Sequence, residues 1–242
     1  MSSPLFTNLT ALADNLPKTG IYGEVRHTLV MAWRAQSCLA DIKQSRDCYD
    51  VLRRVLERER SMDTADLLTT ERALLTTAIM LYARATSTSG KEGERGSIQL
   101  ERGRLTPEQW KDHQALLSVR NQALAHVYTS QPVGEHLWHR ELVFAVESPS
   151  RGWKVASASN QTGFHAGTVD RLGRMLPVAH GIVKEQFYRR MAAATKRINE
   201  CVPQDLLLQH VFDPVRAFGS EEAVGVVLAG QESGEASLWV NE

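Results

Sequence analysis

Apolar residues recur along this chain at two different periods, and the change between them organises it. From Tyr22 onward Val25, Leu29, Trp33, Cys38, Leu39 and Ile42 keep spacings close to helical. Val51, Leu52, Val55 and Leu56 resume the pattern, which predicts one long or once-broken helix of about 35 residues. Leu67, Leu68, Leu74, Leu75, Ala78, Ile79 and Tyr82 form the apolar stripe of a second helix. Residues 87–104, with Gly90, Gly93, Gly96 and Gly103, cannot continue that helix and predict a flexible, basic loop.

Thr106-Pro107-Glu108-Gln109 then has the form of a helix start. Threonine stands at the N-cap, proline at the first helical position, and glutamine where it closes a capping box. The apolar side of this third helix is expected to run through Trp110, Leu117, Leu124 and Val127, and Pro132 and Gly134 end it. The period next falls to two. Leu142, Phe144 and Val146 alternate with Glu141, Val143 and Ala145, residues 148–152 turn the chain, and Trp153 and Val155 return it, predicting a small hairpin near 140–157. From about Thr168, Leu172, Met175, Leu176, Ala179, Ile182, Val183, Phe187 and Met191 restore the helical period as far as Lys196 and Arg197. No repeat is evident. The expected fold is mainly α, a helical bundle interrupted by a β-hairpin, with residues 1–200 as one elaborated domain and 201–242 as an acidic C-terminal extension.

A length of 242 residues, with 43% hydrophobic and 23% charged, allows a substantial core of the ordinary soluble kind. The longest apolar runs, such as Ala223 to Ala229, fall far short of the ~20 residues that span a bilayer. Met1-Ser2-Ser3-Pro4 lacks the basic start of a secretory signal, so a cytoplasmic protein without membrane contact is expected. Cys38, Cys48 and Cys201 are scattered and odd in number, which suits reduced thiols. The zero net charge conceals an asymmetry. After residue 200, Asp205, Asp213, Glu221, Glu222, Glu232, Glu235 and Glu242 face Arg216 alone, so an anion-favouring body carries an acidic tail that is either solvated or docked on a basic surface.

The chemistry concentrates in Arg120-Asn121-Gln122-Ala123-Leu124-Ala125-His126-Val127-Tyr128. Helical steps from the predicted stripe put Arg120 on or beside the buried face, where a guanidinium needs an acceptor. Either an acid across the bundle, such as Glu71 or Glu108, or a phosphate answers that need. His126 on its own is more simply an interface or core histidine. Together, Arg120-Asn121, five further residues and His126 resemble the Arg-x4-6-His signature of the HEPN superfamily, including the polar residue directly after the arginine. His126-Val127-Tyr128 resembles the His-x-Tyr extension of the toxin branch paired with nucleotidyltransferase antitoxins, although that branch usually has four intervening residues. The preceding Leu81-Tyr82-Ala83-Arg84-Ala85-Thr86-Ser87, before a glycine-rich basic loop, is similar to the second-helix ending of several HEPN-like bacterial proteins. The resemblance covers roughly residues 22–130.

It implies an HEPN-like bundle and metal-independent RNA cleavage without a cofactor, in a toxin or abortive-defence effector. His126 is suited to exchange a proton with the ribose 2′-hydroxyl or the leaving 5′-oxygen, Arg120 to hold the scissile phosphate, and Asn121 to orient either group. Arg84, Lys91, Arg95, Arg102 and Arg104 are candidate RNA-backbone contacts, or else members of a solvated loop. Tyr128 is the position that an antitoxin would modify, or an amphipathic tyrosine at a helix end. Six steps of 100° separate Arg120 and His126 by about 120° on an ideal helix, so a homodimer that pairs two motif helices is expected. The alternative is a non-catalytic HEPN-like module that binds RNA or protein. His136 and His139 offer a weak metal pattern that no neighbouring cysteine or carboxylate completes. Ser89-Gly90-Lys91 lacks the rest of a P-loop.

Overall fold

A computed structural model describes residues 5–57, 65–88, 90, 95–124, 133, 136–148, 152–161 and 165–229. The described chain is mainly helical, with a two-stranded antiparallel sheet. In order, the helices are α1 (Leu9–Asn15), α2 (Gly20–Leu56), α3 (Ala65–Thr86) and α4 (Pro107–Ser118), followed by strands β1 (His139–Ser148) and β2 (Gly152–Gln161). The chain then forms α5 (Ala166–Cys201), α6 (Gln204–Leu208), α7 (Pro214–Phe218) and α8 (Glu221–Ala229). No described helix is long and apolar enough to cross a membrane. The chain divides into two compact units, residues 1–36 with 184–242 and residues 37–183, and α2 and α5 each contribute to both.

In the first unit, Leu12, Ala13 and Leu16 of the N-terminal segment pack with Val25, Leu29 and Ala32 of α2 and Ala194 of α5. Leu206 and Leu207 of α6 join this core. The N-terminal strap is also bound to the chain after α6, with Asn8 N donating to His210 O at 2.9 Å and Phe212 N to Phe6 O at 3.0 Å. Phe6, Phe212 and Phe218 stack edge to face. The chain after Cys201 therefore packs against the N-terminal segment through half-buried Leu206, Leu207, Phe212 and Phe218, while Leu208, Val211 and Val215 stay 48%, 41% and 38% exposed. Glu232, Glu235 and Glu242 lie outside the described residues.

The second unit buries Cys38, Leu39, Ile42 and Leu52 of α2, Leu75, Ala78, Ile79 and Tyr82 of α3, and Leu116 of α4. It also buries Leu172, Met175, Leu176, Ala179 and Val183 of α5. Periodicity predicted most of these positions. It misplaced Trp33 and Leu68, which are 46% and 45% exposed. On α2 the buried face instead passes through Ala32 and Ala35, small residues that allow close approach but add little to an apolar stripe. Gly173, inside α5, has a similar purpose, because a Cβ there would run into the Tyr49 hydroxyl. The usual helix cost of glycine is offset by that contact between α2 and α5.

The expected flexible loop is overturned over residues 95–100. Ile98 N and Leu100 N donate to the carbonyls of Ala85 and Thr86, and both side chains are buried. Arg95 anchors the start of this segment. Its guanidinium bonds Ser37 Oγ at 2.6 Å and the Arg84 carbonyl at 3.1 Å, and it pairs with Asp41 Oδ2 at 2.6 Å. Arg84 forks onto the same carboxylate, with Nε donating to Asp41 Oδ2 at 2.8 Å and a second nitrogen to Oδ1. That hydrogen bond raises the Arg84 pKa above its ordinary value, against a smaller opposing effect of burial.

Replacing Asp41 by Asn strips the charge that compensates Arg95, whose side chain is 14% exposed. Breaking such a pair on one side is expected to cost about 3 kcal/mol. Urea unfolding of Asp41→Asn should show that loss, whereas a midpoint within experimental error of the wild type would remove the network from the stability of this unit.

Candidate functional site

The predicted start of α4 is present in full. Thr106 Oγ1 accepts from Gln109 N at 3.2 Å, and Thr106 N donates to Gln109 Oε1 at 3.0 Å, with Pro107 at the first helical position. The buried face of this segment differs from the predicted stripe. It consists of His113, Leu116, Val119 and Ala123, whereas Trp110, Leu117 and Leu124 are only half-buried and Val127 lies outside the described residues. The rotation comes from a buried histidine that a hydropathy pattern counts as polar. Tyr82 of α3 supplies its partner, with the two side chains 2.8 Å apart at Tyr82 Oη and His113 Nδ1. Burial pushes His113 down to about 4, and burial followed by the charge of Asp112 pushes the Tyr82 phenol up. A neutral imidazole and a protonated phenol thus share this hydrogen bond, with no charge brought into the core.

After Ser118 the helix widens into a π-helical turn, Val119–Leu124, that carries the first part of the motif. Such a turn closes i→i+5 rings, so each of its residues advances by less than 100°. Arg120 lies beside the buried face, half-buried between Val119 and the exposed Asn121. Its Nη1 donates to Asn121 Oδ1 at 2.8 Å. The guanidinium has five N–H donors in a planar fork, and this bond occupies one of them. His126 and Tyr128 lie outside the described residues, as does Lys91.

Arg84 and Arg95 are engaged by Asp41, so the second is an internal brace rather than a loop contact. Arg84 keeps 57% of its side chain exposed. Arg102 and Arg104 are exposed on a short 3-10 turn before α4. The length of α4 therefore separates them from Arg120, about 18 Å for twelve residues.

Sequence reasoning missed the part played by the histidines at the root of the hairpin. His139 opens β1, is 6% exposed, and donates from Nε2 to the Ala123 carbonyl at 2.7 Å. A carbonyl only accepts, so the proton is on Nε2. Nδ1 is buried and has no hydrogen-bond partner among the described residues, a cost of about 1–3 kcal/mol. His136 stacks on His165 with centroids 4.4 Å apart, and the buried Trp138 meets both rings edge-on. His165 Nδ1 and Thr168 Oγ1, at the start of α5, are 2.9 Å apart. Burial, then the neighbouring His136 and Arg171, lowers the His165 pKa. The only sequence signal was the short spacing of His136 and His139, which suggested metal binding. Among the described residues, no group of three His, Cys, Asp or Glu side chains is placed to hold a metal ion.

The hairpin above this root pairs Leu142 with Ala158, Phe144 with Ala156 and Val146 with Lys154 on one face, and Val143 with Ser157 and Ala145 with Val155 on the other. Its boundaries extend beyond the predicted 140–157 at both ends. No family model, curated protein or solved structure matches the chain.

The His113 shift sets a pH dependence. Its folded value, about 4, lies below the ordinary 6.5, so unfolding takes up a proton between those values. The contribution is complete above about pH 6.5 and is lost as pH falls toward 4. Urea midpoints should drop between pH 7 and 5, and His113→Asn, which keeps a hydrogen-bonding partner for Tyr82, should flatten that slope. An unchanged slope in the variant would assign the acid sensitivity elsewhere.

Proposed function

We propose that this chain is an HEPN-like, metal-independent endoribonuclease, acting as a homodimer in a toxin or abortive-defence role. The observation that carries the reading is the π-helical turn in a mainly helical chain, with Arg120 half-exposed and already bonded to Asn121. π-turns inside helices are frequent at functional sites. In this reading, His126 takes the proton of a ribose 2′-hydroxyl, that oxygen attacks the adjacent phosphorus, and the P–O bond to the 5′-oxygen breaks as the leaving oxygen gains a proton. The products are a 2′,3′-cyclic phosphate and a 5′-hydroxyl. Arg120 holds the phosphate oxygens with the donors that Asn121 does not use, offsetting charge that grows in the transition state. Contacts to more distant phosphates fall to Arg102, Arg104 and the exposed part of Arg84, whereas Arg95 is withdrawn from this role by Asp41. The dimer rests on the motif resemblance and on the angular separation of Arg120 and His126 expected from the sequence. Tyr128 is the modification position if an antitoxin or other inhibitory protein acts on the chain.

A second reading, a non-catalytic module that binds RNA or protein, is favoured by the hairpin. Val143, Val155 and Trp153 are 78%, 79% and 68% exposed, a concentration of solvent-facing apolar surface that suits a partner.

Purified protein incubated with total RNA in EDTA separates the two. The nuclease reading expects new 2′,3′-cyclic phosphate ends, lost by a factor of about 10²–10⁴ in His126→Ala and about 10²–10³ in Arg120→Ala. No cleavage by the wild type leaves the binding module as the reading. A monomer by light scattering that still cuts RNA removes the dimer.

A further inference from the structure

The hairpin root bears directly on the motif. Ala123 lies three residues after Arg120 in the π-helical turn, and its carbonyl receives the Nε2–H of a side chain sixteen residues further along. In an i→i+5 segment the carbonyls are displaced from the amides that an α-helix would bring to them, so the turn gains definition from a donor outside the helix. His139 is that donor. Its position is fixed by burial and by the start of β1, with Trp138, 3% exposed, immediately before it. The other nitrogen argues against a merely space-filling role. A phenylalanine or leucine would fill the same volume without burying an Nδ1 that has no partner among the described residues, so what distinguishes histidine here is the bond made by Nε2.

We propose that His139 is a positioning residue that locks the register of the 119–124 turn and thereby aims Arg120 and Asn121 at the phosphate. This rests on the ribonuclease reading for its consequence in catalysis, but the lock itself is a property of the folded chain. His139 does not touch RNA in this scheme. It acts through the Ala123 carbonyl, and loss of its donor lets the turn sample other registers in which the Arg120 fork points elsewhere. Misplacement of a phosphate clamp by even 1 Å is enough to cost about 10²-fold in rate.

Two substitutions separate the lock from packing. His139→Phe keeps a ring of similar size and deletes the donor; His139→Gln puts an amide N–H near the place of Nε2. In the full chain, His139→Phe should speed amide exchange across residues 119–124 by about tenfold, the effect of one lost buried hydrogen bond. It should also lower kcat for metal-free RNA cleavage at least about tenfold with KM changed less than about threefold, and His139→Gln should recover both. Exchange at the wild-type rate in a folded His139→Phe protein would overturn the proposal. If that variant does not fold, the wild-type ring decides: long-range proton–nitrogen spectra should show His139 as the Nε2–H tautomer, and an Nδ1–H tautomer overturns the lock. A wild type that cuts no RNA defeats the ribonuclease reading, and the exchange result still judges the lock.

Discussion

Asp41 is a carboxylate with only 5% of its surface in water, and the second unit is arranged around satisfying it. The charge is affordable in that position only because two guanidiniums and their hydrogen bonds replace its hydration. Arg84 comes from the end of α3, Arg95 from the segment after it, and Asp41 from the middle of α2. Meeting at one carboxylate fixes where α3 ends relative to α2 and folds the following chain back, so that Ile98 and Leu100 bond to the last carbonyls of α3 and bury their side chains. The glycines that interrupt helical periodicity allow the chain to leave α3. The arginines then determine where it goes.

The same rule, that polar groups out of water must find partners, also explains the geometry of the candidate site. His113 takes a place on the buried face of α4 because Tyr82 hydrogen-bonds to it, and neutral imidazole meets that need without importing a charge. Asp112, the next residue back, instead reaches Arg174 at 2.8 Å and Arg171 at 3.6 Å at the start of α5. Two adjacent side chains thus tie α4 to α3 on one side and to α5 on the other. With both ends of that relation fixed, the helix keeps Val119 and Ala123 buried by widening, and Arg120 comes to lie at the margin of the core rather than within it.

Legibility in the sequence followed from how each element is stabilised. The Thr106 capping box was readable because its signal is local and consists of four adjacent residues. The hairpin and the long helices were readable because side-chain alternation and helical stride are periodic, although small residues such as Ala32 and Ala35 hid the true face of α2. What escaped was every buried polar residue that depends on a distant partner. Asp41 lies 43 residues from Arg84, His113 31 from Tyr82, and His139 16 from Ala123. In each case hydropathy counts the residue as an outward-facing one, and nothing local contradicts that count. The candidate site was legible as residue types, with Arg120 and Asn121 adjacent, but the turn that sets their direction was not.

The hairpin shows what remains after its root is satisfied. Trp138 and His139 are buried, while Leu142, Phe144 and Val146 above them are 52%, 42% and 49% exposed. A two-stranded ribbon alone is marginal in water, and side chains left half in solvent return only part of the roughly 1.5–3 kcal/mol that full burial of each would give. The root therefore contributes disproportionately to holding this ribbon. Its bond from His139 to Ala123 joins the first residue of β1 to the motif turn, so order in the turn and order in the ribbon are coupled through one hydrogen bond. Only Asn121 and Gln122 separate Ala123 from Arg120, so the bond at the root lies within one turn of the guanidinium's own residue.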